Sequence, residues 1–329
     1  MTNNKLHHSY LSLKMNKQNE SIVLPNDIFG KLEQIEKQIG NTPLLQFINT
    51  KGLFIKQEAC QFANSIKVRP AFHILKNAII NNELSEKHTI IESSSGNFGI
   101  ALAMISKYLG INFIAVVDKY TPKAKLRMLR LLAYDVVVID KKDQHGGYLL
   151  NRIAFIEEFK KENPNHFHPN QYVNPNNPAS YYHGLGQEIC NNFDQLDALF
   201  VAVSTGGTIT GLSRRLREKF PNINIVAVDI QGSLVFQDKA QKRTLSGIGS
   251  SISSVHIQST KVDTIMILSQ DDIIRGCKQL LEEEMVFGGA STGAVYFAAK
   301  QYMKLNPNKK ALIISPDDGK SYMDNVYAS

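Results

Sequence analysis

Cysteine is scarce in this chain. The three present in 329 residues, Cys60, Cys190 and Cys277, lie far apart and never at C-x-x-C spacing. That excludes a disulfide framework and a zinc site, and points to a reducing compartment. Long apolar runs are missing as well: nothing reaches membrane-spanning length, and Met1 to Glu20 is polar, without the apolar stretch of a signal peptide. Residues 1–24 are therefore expected to form a disordered leader on a soluble, cytoplasmic protein with no membrane partner. The nine histidines form no metal-binding pair, so no metal is expected, and His145 and His183 read as structural. A block of one charge sign is also absent. The formal net charge is +7, yet Lys and Arg are scattered among acids without interleaved aromatics, so nucleic acid is not an expected partner and small anionic ligands account for the charge.

Two strand–loop–helix units stand out against these absences. Thr89-Ile90-Ile91 reads as a strand, Glu92-Ser93-Ser94-Ser95-Gly96-Asn97-Phe98-Gly99 as its loop, and Ile100 to Tyr108 as a helix. Farther on, Ala198 to Val203 reads as a buried strand, Ser204-Thr205-Gly206-Gly207-Thr208-Ile209-Thr210-Gly211 as its turn, and Leu212 to Phe220 as the next helix. A strand that ends in small hydroxyl residues and glycine, then opens a helix, aims unpaired N–H groups and a positive dipole end at one point. Neither loop has the Gly-Lys-Ser/Thr ending of a Walker loop or G-x-G-x-x-G spacing. Asp118, about twenty residues beyond the first loop, imitates a ribose-binding acid but lacks the glycines that accompany one. Hydroxyl-rich cradles suit a carboxylate or a phosphate monoester. Ser, Thr and Asn are also ordinary N-caps, so helix capping is the alternative for either loop alone.

Strands alternating with helical patterns indicate an α/β architecture with parallel sheets. Further strands are expected at Gly52 to Glu58, Phe113 to Val117, Val136 to Ile139, Ile225 to Val228, Thr264 to Leu268 and Ala311 to Ser315. The irregular Asn- and Pro-rich stretch from Asn163 to Pro178 is the expected crossover between two lobes.

Lys67 stands in a helix expected to open at Ser65 and to run to about Asn81. At about 100° per residue it falls in the apolar arc of Ala71, Ile74, Leu75 and Ala78, with Arg69 and Lys76 pointing away. Burial lowers an ammonium pKa and frees the amine as a nucleophile; a lysine that snorkels from the first turn is the other reading. A Schiff-base lysine beside two anion cradles matches pyridoxal 5'-phosphate, which carries an aldehyde and a phosphate, together with an amino-acid substrate that carries a carboxylate.

Lys67 within Ser65-x-Lys67-x-Arg69, the Ser94-Ser95-Gly96-Asn97 loop, the Thr205-Gly206-Gly207-Thr208 loop and Gly289-Ala290-Ser291-Thr292-Gly293 resemble, in order and spacing, the cysteine synthase and cystathionine β-synthase family, over roughly Leu32 to Tyr327. The resemblance implies the tryptophan synthase β-like fold (fold type II), with two three-layer αβα lobes and the cofactor between them. Residues 45–175 would form the smaller, mobile lobe with Lys67 and the substrate carboxylate loop; 25–44 and 176–329 would form the larger lobe with the phosphate loop. It further implies that Lys67 is catalytic and carries the cofactor, that Asn97 bonds the cofactor's phenolic oxygen, and that Ser204, Thr205, Gly206, Gly207 and Thr208 hold its phosphate. Ser291 would face the pyridine nitrogen, and Ser94, Ser95, Asn97 and Gln171 would bind the substrate carboxylate. A neutral serine at the ring nitrogen favours β-elimination and replacement. Family members are usually homodimers.

Three positions depart from the family pattern: Gln61-Phe62 replaces the usual Asn-Pro, and Phe98 replaces a threonine. Phe98 argues against ordinary cysteine synthesis. Asp143 to Arg152, Asn170-Gln171-Tyr172, Val116-Val117-Asp118 and Ile230 to Ser233 look like the branch that joins O-phospho-L-serine to L-glutamate for 2,3-diaminopropionate and siderophore synthesis. Arg152 has support of its own. On a helix from about 147 to 160 it falls in the arc of Leu149, Ile153, Ile156 and Phe159, where a guanidinium needs an anion. That anion is either a nearby acid or a carboxylate of the incoming glutamate; Tyr172 is a further substrate-binding candidate. The alternatives within the family are cysteine synthase with a sulfide acceptor and a serine or threonine dehydratase. Outside it they are a dinucleotide-dependent oxidoreductase and a catalytically silent ligand-binding relative.

Overall fold

The computed structural model describes residues 27–143 and 147–328. The expected leader, 1–24, and His145 lie outside the described residues.

The chain opens with α1 (Ile28–Glu36), capped by the Asp27 carboxylate, which accepts from the Gly30 amide at 2.7 Å. The antiparallel pair β1 (Leu44–Gln46) and β2 (Leu53–Gln57) follows, then α2 (Val68–Ile80), β3 (Thr89–Glu92), α3 (Asn97–Leu109), β4 (Asn112–Asp118), α4 (Lys123–Leu132), β5 (Asp135–Ile139), α5 (Leu149–Glu162) and the short β6 (His166–Phe167). The second half holds α6 (Asn176–Ser180), a π-helical turn at Tyr181–Leu185, α7 (Gly186–Asn192), β7 (Ala198–Ala202), α8 (Gly207–Lys219), β8 (Asn224–Ile230), α9 (Val255–Gln258), β9 (Thr264–Leu268), α10 (Gln270–Glu284), α11 (Ala290–Leu305) and β10 (Ala311–Ser315).

Two sheets result, one of six strands in the order β1-β2-β10-β7-β8-β9 and one of four in the order β5-β4-β3-β6. Apart from β1 with β2, every pairing is parallel. Parallel strands are buried on both faces, which is why β4 and β7 read as unbroken apolar runs. One face of the larger sheet packs against α10 and α11, where Phe200, Ile313, Val295 and Leu280 share a core. The other packs against α7 and α8 through Leu199, Ile225, Ile189 and Leu212. The smaller sheet is covered by α2, α3 and α4 on one side and by Ile156, Phe155 and Phe159 of α5 on the other. Each lobe is therefore a three-layer αβα sandwich.

The expected lobe boundary differs from the observed sheet membership. Leu44–Gln57, placed mostly in the smaller lobe from sequence, pairs with β10 in the larger sheet. Conversely Leu32 and Ile35 of α1, placed in the larger lobe, pack into the core of α2 and α3. Strand pairing between residues about 260 apart leaves no local trace, and the chain here crosses between lobes before it crosses back.

Candidate active site

The loops after β3, β4, β7 and β10 converge on one cleft of about 280 Å³ between the sheets, the position at which parallel α/β sheets hold ligands. Lys67 lines it. The residue is the N-cap of α2, one place before the helix proper, and its backbone is tied down from both sides. The Ser65 hydroxyl accepts from the Lys67 amide at 3.3 Å, and the Ile66 amide donates to the Pro316 carbonyl at 2.8 Å. Burial pushes the Lys67 ammonium down to about 8, opposed by the nearby Asp317 carboxylate. The snorkelling alternative does not hold: the side chain lines the cleft and stays half-buried.

The first cradle wraps the N-terminus of α3. The Ser94 hydroxyl accepts from the Gly99 amide at 3.0 Å, and a Cβ at Gly99 would stand 2.3 Å from the Ser94 carbonyl, so the loop closes tightly only on glycine. Ser94 therefore caps the helix while Ser93, Ser95 and Asn97 also line the cleft. The Ser93 hydroxyl is buried with no partner among the described residues. Asn97 donates from Nδ2 to Asp317 Oδ2 at 2.8 Å. Phe98 lines the same wall, 2% exposed, with its ring in the core of the smaller lobe.

The second cradle wraps the N-terminus of α8. Gly206 has φ +84°, and a Cβ there would meet Ile257 at 2.6 Å; one on Gly207 would meet Asn177 Oδ1 at 2.0 Å. Backbone thus comes to the surface where side chains would otherwise stand. The amides of Thr205, Gly206, Gly207 and Thr208 find no acceptor among the described residues. Lys67, Ser204, Thr205, Gly206, Thr208 and Ser291 together line the inner end of the cleft. Ser291 is buried at the start of α11 and donates to the Gly247 carbonyl at 2.7 Å.

Arg152, Gln171 and Tyr172 reach the outer part of the same cleft. Gln171 is held by its carbonyl, which accepts from Asn177 Nδ2 at 2.7 Å. Arg152 Nη1 lies 3.4 Å from Asp118 Oδ2, so a neighbouring acid is present, yet Arg152 Nε is buried without a partner among the described residues. The arc drawn from sequence needs correction. Ile153 is 39% exposed, and the inward face of α5 is Arg152, Phe155, Ile156 and Phe159. Arg69, which points away from the apolar arc, is 4% exposed, with Nε and Nη2 on Glu58 at 2.6 and 2.8 Å and Nη1 on Glu188 at 2.8 Å.

Sequence reading missed two charged groups. Asp317 is buried; burial raises its carboxyl, against the pull of Lys125, Asn97 and Tyr322, whose hydroxyl donates to Oδ2 at 3.0 Å. Lys125, in the first turn of α4, is buried and lines the cleft. The only signal for Asp317 was its place directly after the last strand, within Pro316-Asp317-Asp318-Gly319, which reads as an ordinary turn. His183 lies on the π-helical turn, away from the residues of the cleft. All three cysteines are free. Among the described residues there is no cluster fit for a metal and no helix long and apolar enough to cross a membrane.

An amine poised near neutrality, a glycine cradle of free amides on one side of it and a hydroxyl-lined cradle on the other fit a group that carries both an aldehyde and a phosphate, with an anionic substrate beside it. The family model described as "Pyridoxal-phosphate dependent enzyme" matches residues 35–317. The N-(2-amino-2-carboxyethyl)-L-glutamate synthase of Ralstonia nicotianae is 37% identical over 296 residues, 88% of each chain. Among solved structures, the O-acetylserine dependent cystathionine β-synthase of Helicobacter pylori superposes with a TM-score of 0.81 at 27% identity, covering 89% of this chain and 98% of that one. A hydrogen sulfide-producing enzyme of Fusobacterium nucleatum does so with a TM-score of 0.82 at 28% identity, covering 91% and 92%.

Proposed function

Because the chain belongs to the pyridoxal-phosphate dependent enzymes, we propose that it catalyses a β-replacement in which the amine of L-glutamate displaces phosphate from O-phospho-L-serine. The product is N-(2-amino-2-carboxyethyl)-L-glutamate, a source of 2,3-diaminopropionate. When bound, pyridoxal 5'-phosphate supplies an aldehyde that joins amines and a ring that withdraws electrons from the substrate Cα. In this reading the cradle from Ser204 to Thr208 holds its phosphate, Asn97 its phenolic oxygen and Ser291 its ring nitrogen. Ser94, Ser95, Asn97 and Gln171 grip the α-carboxylate of the donor, with Tyr172 beside it. Lys67 anchors the cofactor, takes the Cα proton once released by the substrate amine, and returns it at the end. The donor's Cβ–O bond breaks with its electron pair leaving on phosphate, and a Cβ–N bond forms to the glutamate nitrogen, which gives up a proton.

The observation that carries the choice of acceptor is the guanidinium of Arg152 in the cleft wall, its Nε buried and without a partner among the described residues. One Asp118 oxygen at 3.4 Å leaves donors to spare for a second carboxylate, which a guanidinium grips with two parallel bonds. The identity with the Ralstonia synthase supports the same reaction.

The test is turnover of O-phospho-L-serine with a panel of amine and thiol acceptors, with products weighed by mass spectrometry. The glutamate adduct should dominate. Arg152→Ala should still release phosphate in a first half-turnover, while kcat/KM for glutamate falls roughly ten- to a hundredfold, the worth of a charge-assisted hydrogen bond. A product formed only from sulfide would make the enzyme a cysteine synthase, and pyruvate with every acceptor a dehydratase. Equal losses with glutamate and sulfide in the Arg152 variant would leave Arg152 as a structural partner of Asp118.

A further inference from the structure

Four charged side chains line the cleft: Lys67, Lys125, Arg152 and Asp317. The reading above gives Lys125 nothing to do. It is 8% exposed, and its ammonium has no hydrogen-bond acceptor or ion-pair partner among the described residues. Asp317 attracts it from a distance without contact. A buried ammonium in that position is costly unless a ligand supplies the missing anion.

The other anionic groups of the reaction already have partners of matching geometry. Neutral amides of the second cradle suit the cofactor phosphate, hydroxyls and amides of the first suit the donor α-carboxylate, and the planar fork of Arg152 suits the acceptor carboxylate. The donor's own phosphate remains. It is a compact, roughly dianionic group of three exposed oxygens, which a point-like ammonium binds well from any side. Lys125 stands on the smaller lobe three residues beyond Pro122, which also lines the cleft, on the same side as the Ser93 to Asn97 loop that would hold the donor's other end.

We propose that Lys125 binds the phosphate of the donor substrate and stabilises the negative charge it takes up as it leaves. The proposal rests on the reading of the donor as an O-phosphorylated serine. The Cβ–O bond breaks, its electron pair stays on the phosphate oxygen, and Lys125 donates a hydrogen bond to the departing inorganic phosphate; the Cα proton resides on Lys67. Charge that develops in a site of low dielectric is where a fixed cation acts most strongly. Burial lowers the pKa of Lys125 in the free enzyme, and a bound phosphate reverses that effect by favouring the charged amine.

The experiment compares holoenzyme of the parent, Lys125→Met and Lys125→Arg with two donors, O-phospho-L-serine and O-acetyl-L-serine, whose ester is uncharged until acetate departs, first at saturating glutamate and then with glutamate varied at a fixed donor concentration. The ratio of kcat/KM for the phosphate over the acetate donor should fall roughly ten- to a hundredfold in Lys125→Met and recover largely in Lys125→Arg. The inhibition constant of inorganic phosphate against the acetate donor should rise in parallel. An unchanged ratio in an active enzyme overturns the proposal. So does an equal loss with both donors, which makes Lys125 a counter-charge for Asp317, and so does a loss confined to KM for glutamate, which puts Lys125 on the acceptor. A parent enzyme that releases no phosphate from O-phospho-L-serine overturns the donor assignment itself, and is told apart because it appears before any variant is made.

Discussion

Lys67 shows how much chemistry a single burial site can carry. Folding moves its ammonium from 10.5 to about 8, chiefly by removing water. Between those two values the unfolded chain binds more protons than the folded one, so the contribution of this group to stability rises with pH through that window. Below about 8 the buried charge costs at most roughly 3 kcal/mol, less where the cleft stays wet. In cofactor-free protein, Lys67→Met should therefore be the more stable form near neutral pH, by about 1–3 kcal/mol in urea unfolding. The advantage should shrink to nothing by pH 10.5; a difference that does not change with pH would mean that the amine is not desolvated. Lys67 was legible in sequence because an apolar arc interrupted by one cation is a local signal. Lys125 and Asp317 were not, since each sits beside a turn and gains its meaning only from elements far away in the chain.

Among the elements, α2 depends on a buried charge network that its own pattern conceals. Arg69 joins Glu58 and Glu188, Lys56 joins Glu188 at 2.7 Å and donates to the Thr42 carbonyl at 2.6 Å, and Thr42 donates to Glu58 at 2.6 Å. These groups come from the connection between α1 and β1, from β2, the 3₁₀ turn after it, α2 and α7, and they fix the first turn of the helix that follows Lys67. Helical periodicity puts Arg69 opposite the apolar arc but carries no sign of the second layer that buries that side. Arg69→Ala should leave Glu58, fully buried, without its countercharge, and lower stability by about 3–5 kcal/mol. A urea midpoint close to that of the parent would show that the network relaxes around the loss. The long strands were legible from their apolar runs, whereas β6, two residues within an Asn- and Pro-rich stretch, carries too little pattern to be seen.

At the scale of the whole molecule, the cleft is walled by both sheets, so a ligand that touches Lys67, the α3 cradle and the α8 cradle ties the lobes together. Removing the cofactor should destabilise both. At a hundred times its dissociation constant, a ligand of the folded state adds about 2.7 kcal/mol, and the cofactor-free protein should melt roughly 3–5 °C lower. Hydrogen exchange should quicken at the β3–α3 and β7–α8 junctions alike. Protection lost at only one junction would confine the cofactor's hold to a single lobe. The fold class was legible because alternating strand and helix patterns leave few architectures; the lobe boundaries were not, because α1 and the β1–β2 hairpin exchange places.

That exchange sets an order of events during synthesis. β10 lies in the interior of the larger sheet, between β2 and β7, in register with Leu53–Gln57 on one edge and Ala198–Phe200 on the other. While the chain is being made, β2 and β7 both wait with an open edge for a strand that is the last of the ten to leave the ribosome. The four-stranded sheet, all of it within residues 89–167, has its partners long before. A nascent chain therefore carries a finished β3–α3 cradle beside a half-built β7–α8 wall, and that wall is not complete until synthesis has passed Ser315.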